Sequence, residues 1–398
     1  MKREKLVLVS EHFEPSTGAT GQLMTDLARG LHGQGWKIRV VTATPGKACG
    51  FNEVRLCVSR SRKYFDKSIS RKAVKGIEFL ICSFIWILLR TSKDEIVIIV
   101  SNPPFIGLLG IALLIIRRQP YVFIFQDLFP HSAILSGLLP SKGWLTFLWW
   151  SLMKEICQRS EAIVVLSEAM EARVRCDFKS ELNLHVIPNW AVEQGLDIPR
   201  ANNRFAIEHG FAERFTLQYS GNFGRMHELL TILEAARLMK DEEIQFLFIG
   251  AGEKLSEITS YLQNHKLNNL LHLPYQPRHR LKESLAACDM SAIGLVPGAE
   301  DTVAPCKFYG ILASGRGVVL VARRKCDLAQ LVIQEQCGIV VEPGEGQELA
   351  DILCQLAKRP DIVKDFGDRG RDLYQRKFGF KRSLRAYSDL IESLGRKN

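Results

Sequence analysis

The chain has 398 residues, 46% of them hydrophobic and 24% charged, with a formal net charge of +10. That length exceeds one comfortable core and predicts two domains, and the composition is that of a folded soluble protein. The basic excess allows an anionic membrane or a phosphorylated ligand as partner; nucleic acid is set aside, because the basic residues are dispersed and no base-reading motif appears.

In chain order, the first element is a strand over 6–10. Its apolar stretch, 6–9, is too short for the apolar core of a signal peptide, and the scattered cysteines, read as reduced, predict a cytoplasmic protein. The glycine-marked loop from Pro15 to Gly21 leads into a helix over 21–33, followed by a strand over 37–42. In that loop Gly18 and Gly21 would let a ligand approach the backbone near free N–H groups. The spacing fits neither a dinucleotide fingerprint nor a P-loop. The apolar runs 79–89 and 103–116 follow, flanked by Arg90, Lys93, Arg117 and Arg118. As a helix the fourteen-residue second run would be roughly 21 Å long against about 30 Å of hydrocarbon, so neither run spans a membrane comfortably. With the aromatic stretch 143–153 they form either core helices or an interfacial patch for an anionic membrane.

Strands over 95–100, 121–125 and 162–166 alternate with helices over 104–117 and 145–159. Val/Ile-rich strands separated by helices imply a parallel sheet covered on both faces. Gln126, Asp127 and His131 follow one of these strands, where polar side chains should reach a ligand-binding crevice. Asp127 would orient a sugar hydroxyl, accept a proton, or simply cap the next helix. Ser101-Asn102-Pro103-Pro104 ends another strand. A strand at 186–187 ends in a turn, and the polar segment 193–204 has linker composition. The expected domains are 1–195, 196–380, and a terminal helix within 381–398 that packs back on the first domain.

The second half repeats the pattern, with strands over 216–219, 244–249, 270–273, 290–295, 318–321 and 339–341 and helices between them. The fold class is therefore α/β, two doubly wound Rossmann-like domains facing across a cleft. The loop from Tyr219 to Arg225 follows the first strand of this half and reads as opening a helix. Gly224 would allow close approach there, and Arg225 would offer forked donors to a phosphate, or stand as an ordinary surface arginine. Gly250-Ala251-Gly252 either passes under a nucleotide or makes a tight turn. The segment 300–322 places Glu300 and Asp301 before Pro305, Lys307, Phe308 and Tyr309, then a short helix over 310–314, the Gly315 stop and a buried strand. That order suggests a ligand gripped at a helix N-terminus. The ten cysteines show no metal or redox spacing and read as reduced and structural.

Together these pieces resemble the retaining glycosyltransferases of family 4, which have the GT-B architecture. The likeness rests on the first glycine loop, YSGNFGR, FIGAGEK with LPYQPRHRLKESLAACDMSAIGLVP, and APCKFYGILASGRGVVLV. With SNPP and QDLFPHS it is similar to the bacterial branch that builds surface polysaccharides on lipid-linked acceptors, including fucosamine transferases. The resemblance implies a nucleotide diphosphate sugar as donor, UDP ahead of GDP, and transfer with retention to a lipid-linked or glycan acceptor. It implies no metal or other cofactor, and a cytoplasmic enzyme held peripherally at the inner face of a membrane.

Within it, Arg225 and Lys307 correspond to the pair that stabilises the departing diphosphate, and Asp127 to a residue of the catalytic cleft. Donor binding falls to Gly18, Gly21, Gly224, Gly252, Tyr275, Gln276, Glu300, Asp301, Phe308 and Tyr309. Three positions depart from the family pattern. Gly310 stands where a ribose-binding carboxylate is usual, Thr302 where a sugar-contacting one is usual, and Gln126 where a cleft histidine is frequent. Those departures motivate an alternative, a non-catalytic nucleotide-sugar-binding module; a sugar-nucleotide epimerase of the same architecture is another.

Overall fold

The structure, a computed structural model, describes residues 5–16, 18–46, 53–56, 69–179, 181–191 and 198–395. Thr17 of the first glycine loop, Cys49, Cys57 and 193–197 of the expected linker lie outside those residues. The chain divides into two compact units. One comprises Met1–Asn189, Thr302–Ala304 and Lys381–Asn398; the other Trp190–Asp301 and Pro305–Phe380. The division after Asn189 compares with the boundary after 195 expected from linker composition.

The first unit is built on seven strands, β1 (Lys5–Val9), β2 (Lys37–Thr42), β3 (Glu53–Arg55), β4 (Ile96–Val100), β5 (Tyr121–Ile124), β6 (Ala162–Val165) and β7 (Leu184–Val186). All pairings are parallel, in the order β3-β2-β1-β4-β5-β6-β7. Every residue of β4, β5 and β6 is buried, because crossover helices cover both faces of a parallel sheet. Leu109 and Leu113 from the helix Gly107–Arg117, with Met153 and Ile156 from Trp144–Arg159, pack onto Val97, Ile99, Tyr121 and Phe123. The Tyr121 hydroxyl donates to the Ile156 carbonyl at 2.6 Å, which satisfies its polar end within that apolar layer.

The final helix, Phe380–Gly395, buries Tyr387, Leu390, Ile391 and Leu394. Ser383 donates to the Pro188 carbonyl at 2.9 Å, and the Trp36 indole donates to Ser388 at 3.1 Å. Residues 381–395 thereby belong to the first unit although they end the sequence.

The second unit repeats the strand permutation. β8 (Phe215–Ser220), β9 (Ile244–Ile249), β10 (Leu270–Leu273), β11 (Met290–Gly294), β12 (Gly317–Val321) and β13 (Gly338–Val341) run parallel in the order β10-β9-β8-β11-β12-β13. In each unit the strand order reverses beside the first strand, between β1 and β4 and between β8 and β11. Loops at the carboxyl ends of strands beside such a reversal are where doubly wound sheets bind ligands.

Two local expectations change. The Tyr219–Arg225 loop does not itself open a helix: the next helix is Leu230–Leu238, so its dipole is not available to Arg225. The helix expected over 310–314 begins earlier, at Cys306–Ala313, with Pro305 as N-cap. Nothing between Pro305 and Gly310 breaks a helix, and Pro305 holds the extended φ/ψ that precedes one. Lys307 thus rises from the first turn of a helix rather than from a loop. The apolar run 79–89 is the second half of a longer helix, Ile69–Arg90, whereas helices Glu168–Phe178, Asp327–Gln334 and Pro360–Leu373 and strand β3 were not anticipated.

Candidate functional site

In the second unit, the loops after β8 and β9 touch backbone to backbone. Gly221 and Gly250 have φ of +133° and +139°, a region glycine enters without penalty. A Cβ on Gly250 would stand 2.0 Å from the Gly221 carbonyl oxygen, so no other residue fits without moving the loop. The contact is closed by Gly221 N–H to Ile249 O at 2.8 Å and Phe223 N–H to Ala251 O at 3.0 Å. Gly252 is equally confined by the Phe223 backbone, and Gly224 lies against the Asn222 side chain.

Lys307 reaches into this group. Its Nζ is buried with no hydrogen-bond partner and sits 3.7 Å from the centroid of the Tyr219 ring. Burial pushes its pKa down to about 7, with the Cys306 thiol acting in the opposite direction. Tyr219, fully buried, shares a 2.5 Å hydrogen bond between its hydroxyl and Nδ1 of His227. Burial, then the charge of Lys307, lowers the His227 pKa to about 3, which leaves its imidazole neutral. Lys254 donates to the His227 carbonyl at 2.7 Å. The arrangement is an ammonium held over an aromatic face with its donors uncommitted, ready to take an anion.

The other expected donor residues of this unit divide into two groups. Arg225 is half-exposed and ion-paired with the half-exposed Glu253 of the next loop, a surface pair that an incoming phosphate can displace. Tyr275, half-exposed, donates to the Ala251 carbonyl at 3.1 Å and lies beside Gly250; Gln276 turns to the Pro274 carbonyl at 2.9 Å. These positions border the loops that hold Lys307.

Glu300, Phe308 and Tyr309 are committed to the fold. The Glu300 carboxylate accepts from Gly298 N–H at 2.6 Å and from Arg323 Nε and Nη2 at 3.0 and 2.9 Å. Burial alone would raise its pKa, but those bonds outweigh it and hold the carboxyl below its usual range. Asp301, 3.9 Å from Arg323, is the more accessible of the acidic pair. Phe308 and Tyr309 are buried in a ring cluster with Phe378, at 5.9 and 5.3 Å between centroids. Their sequence neighbourhood suggested ligand contact; their packing fixes the helix that carries Lys307. Gly310, one turn beyond Lys307, has nothing within 4 Å of the Cβ it lacks.

In the first unit, Gly18 is the N-cap of the helix Ala19–Gly33 with no side-chain cap bond, and Gly21 packs against Ser16. Asp127 follows β5; its backbone forms an antiparallel bridge with Val303, and Leu128 N–H donates to Thr302 O at 2.9 Å. Burial pushes the Asp127 carboxyl up to about 6. Gln126 is buried beside it, with its Oε1 accepting from Asn189 at 3.3 Å and its Nε2 unpartnered. His131 is held by Asp177 at 2.7 Å and by Arg173, edge-on to Trp150, which makes it a packing residue.

A raised carboxyl pKa means that the folded state binds a proton that the unfolded state has released. Stability from this group is therefore intact below about pH 4 and declines as pH rises to about 6. Asp127→Asn is expected to stabilise the protein on the order of 2 kcal/mol at pH 7.5 and to be neutral at pH 4, read by thermal unfolding at the two pH values.

Tyr219 and His227 carried no functional role in the sequence reading. The signal was present, a tyrosine ending a strand before the glycine loop and a histidine just after it, but only the fold brings both to Lys307. Among the described residues no group of His, Cys, Asp and Glu has metal-holding geometry.

The first unit also exposes an apolar face. The helix Ile69–Arg90 presents Ile77, Ile81, Ile85 and Leu89 to solvent, and Trp144–Arg159 presents Trp144, Phe147 and Leu148. The helix Gly107–Arg117 packs against both and exposes Ile115 and Ile116. Arg117 donates to the carbonyls of Leu88 and Thr91 at 2.9 and 2.8 Å, so it caps a helix end, while Arg90, Lys93, Arg118 and Lys142 are exposed. No helix among the described residues is long and apolar enough to cross a membrane.

Comparison with known proteins places both units. Residues 20–191 match the model described as Glycosyltransferase Family 4, and residues 202–373 match Glycosyl transferases group 1. The chain is 22% identical over 336 residues to the probable glycosyltransferase WbjE of Pseudomonas aeruginosa, covering 83% of this chain and 84% of that one. It is 23% identical over 398 residues to WcaI of Escherichia coli (strain K12), whose name places it provisionally in colanic acid biosynthesis; coverage is 92% and 96%. Among solved structures, sucrose-phosphate synthase from Thermosynechococcus elongatus superposes with a TM-score of 0.80 at 15% identity over all of both chains. Anabaena HepE in complex with UDP and glucose gives 0.74 at 14%, over 98% of this chain and 100% of that one. The fold shared with these structures is GT-B, with two Rossmann-like domains.

Proposed function

We propose, from the premise that this chain is a glycosyltransferase with a Family 4 N-terminal part and a group 1 C-terminal part, that it moves a sugar from a UDP-sugar to a lipid-linked glycan. The transfer retains anomeric configuration and serves surface polysaccharide or glycolipid synthesis. It takes place at the cytoplasmic face of a membrane, to which the protein binds peripherally. Lys307 is the observation that carries the donor assignment: a buried ammonium with unused donors, beside two glycine loops, is stabilised by an arriving diphosphate. As the sugar–phosphate bond breaks, charge accumulates on the leaving diphosphate, and fixed cations lower that barrier most where water is excluded. Arg225 joins Lys307 when phosphate replaces Glu253, and the two cations supply the charge that a divalent metal would otherwise contribute.

HepE has been solved with UDP and with UDP-glucose, and the name of WcaI points towards colanic acid biosynthesis; both support the reading. In the first unit, the pKa of Asp127, raised to about 6 by burial, supports a role in orienting or deprotonating the acceptor hydroxyl. The exposed apolar face suits an acceptor carried on lipid. Calorimetric titration with UDP and GDP tests the donor assignment. The protein is expected to bind UDP more tightly than GDP, and Arg225→Ala to weaken UDP about ten-fold. Equal UDP affinity with and without the Arg225 side chain would remove that residue from the site, and no binding of either nucleotide would overturn the donor assignment.

A further inference from the structure

We infer that Tyr219 and His227 are positioning residues for the Lys307 ammonium: the ring of Tyr219, pinned by its hydroxyl on His227, supplies the surface that holds Nζ cationic and aimed at the donor loops. Lys307 emerges from the helix Cys306–Ala313 and finds no oxygen partner for Nζ. What it meets is the Tyr219 ring, with Nζ 3.7 Å from the centroid, and the bare Cα of Gly221, whose Cβ would stand 3.5 Å from Nζ. A desolvated cation on an aromatic face is held by the ring quadrupole, weakly enough to remain available to an anion. An aspartate or glutamate in that place would hold the charge more firmly but would compete with the diphosphate.

The ring orientation is itself fixed. Tyr219 stacks on Phe248 at 5.6 Å between centroids, and its hydroxyl meets Nδ1 of the neutral His227. The His227 carbonyl is in turn held by Lys254 at 2.7 Å. The titratable groups around Nζ are Tyr219 and His227, with Lys254 behind His227, Tyr275 acting on Tyr219, and Cys306 on the lysine's own helix. No Asp or Glu is among them, so the charged lysine is favoured over the neutral one by Cys306 on its own helix and by the aromatic face beneath Nζ.

The inference rests on the donor reading above, and its test separates the two. Lysine labelled with 13C at Cε reports the Lys307 midpoint in the ligand-free protein, with the resonance assigned by its loss in Lys307→Arg. Tyr219→Leu is expected to lower that midpoint by about one pH unit, and Tyr219→Phe and His227→Leu, which free the ring from its anchor, by a smaller but resolvable shift of about 0.3 unit each. With a midpoint near 7, UDP affinity in Tyr219→Leu should fall about ten-fold at pH 7.5 but only about two-fold at pH 6, whereas general damage to the fold would weaken both alike. An unchanged midpoint in Tyr219→Leu overturns the inference. If that variant does not fold, an unchanged midpoint in both Tyr219→Phe and His227→Leu does the same. If the midpoint moves as expected while the intact protein binds no UDP, the positioning role stands and the donor reading fails.

Discussion

Lys307→Met is expected to lower kcat/KM for a UDP-sugar by about 10²–10³ and, in the same protein, to raise thermal stability. The two effects share one cause. In the ligand-free protein the ammonium is removed from water with an aromatic face and the weaker influence of Cys306 in return, and burial drops its pKa from 10.5 to about 7. A lysine whose folded pKa is depressed destabilises the folded state fully below the folded value. That cost shrinks as pH rises from about 7 and is gone near the unfolded value of about 10.4. Methionine has similar length, no charge and a polarisable sulfur suited to the Tyr219 ring. The gain should be on the order of 3 kcal/mol at pH 7 and should vanish by about pH 10, which scanning calorimetry across that range can follow. Loss of activity has the opposite origin, because the leaving diphosphate loses its desolvated counter-charge. A lysine kept for the fold would lose stability on substitution, so a fall in melting temperature with kcat/KM within three-fold of the parent would exclude the assigned role.

Much of the fold was legible because a parallel sheet leaves a plain trace. The unbroken apolar run of β4, from Ile96 to Val100, and the equivalent run in β9 from Phe246 to Ile249 are strands buried on both faces, and periodicity plus length suffices to find them. The helix Glu168–Phe178 escaped because its surface is charged and its buried residues are only Met170, Val174 and Phe178, a stripe too thin to stand out. β3 escaped because three half-buried residues at a sheet edge carry almost no pattern.

The site was legible in a different measure. Lys307 and the loop glycines could be named from the order of residue types, because close backbone approach and a cation beside a helix start are local requirements. What each side chain does there depends on contacts across the sheet. Glu300 looked like a ligand carboxylate, yet Arg323, twenty-three residues later, occupies both of its oxygens. Phe308 and Tyr309 looked like ligand contacts, yet Phe378 draws them inward. Tyr219 and His227 were passed over because their importance lies in meeting Lys307, some eighty residues away along the chain.

The apolar face of the first unit should bind anionic vesicles, and replacing Ile85, Leu89, Trp144 and Phe147 together by serine should reduce that partition by about 10³. Leu89 is 72% exposed, Trp144 and Phe147 are each 74%, and Ile85 is 50%, so serine at these positions removes little packing from the folded protein. Entering the headgroup boundary would bury most of that surface, at about 1 kcal/mol for each side chain after partial immersion. The exposed Arg90, Lys93, Arg118 and Lys142 add roughly 1 kcal/mol apiece only where they come near anionic headgroups, and salt screens that part. Flotation with vesicles containing about one-third anionic lipid should therefore show binding of the parent protein that weakens, but persists, in high salt. The serine variant should retain turnover of a short, water-soluble acceptor and lose turnover of the same glycan on a long polyprenyl chain embedded in vesicles, because only the second reaction requires the face to reach the bilayer. Equal partition of parent and variant would show that this face is not the lipid-binding surface, and no vesicle binding by the parent at low salt would remove the membrane from the proposed reaction.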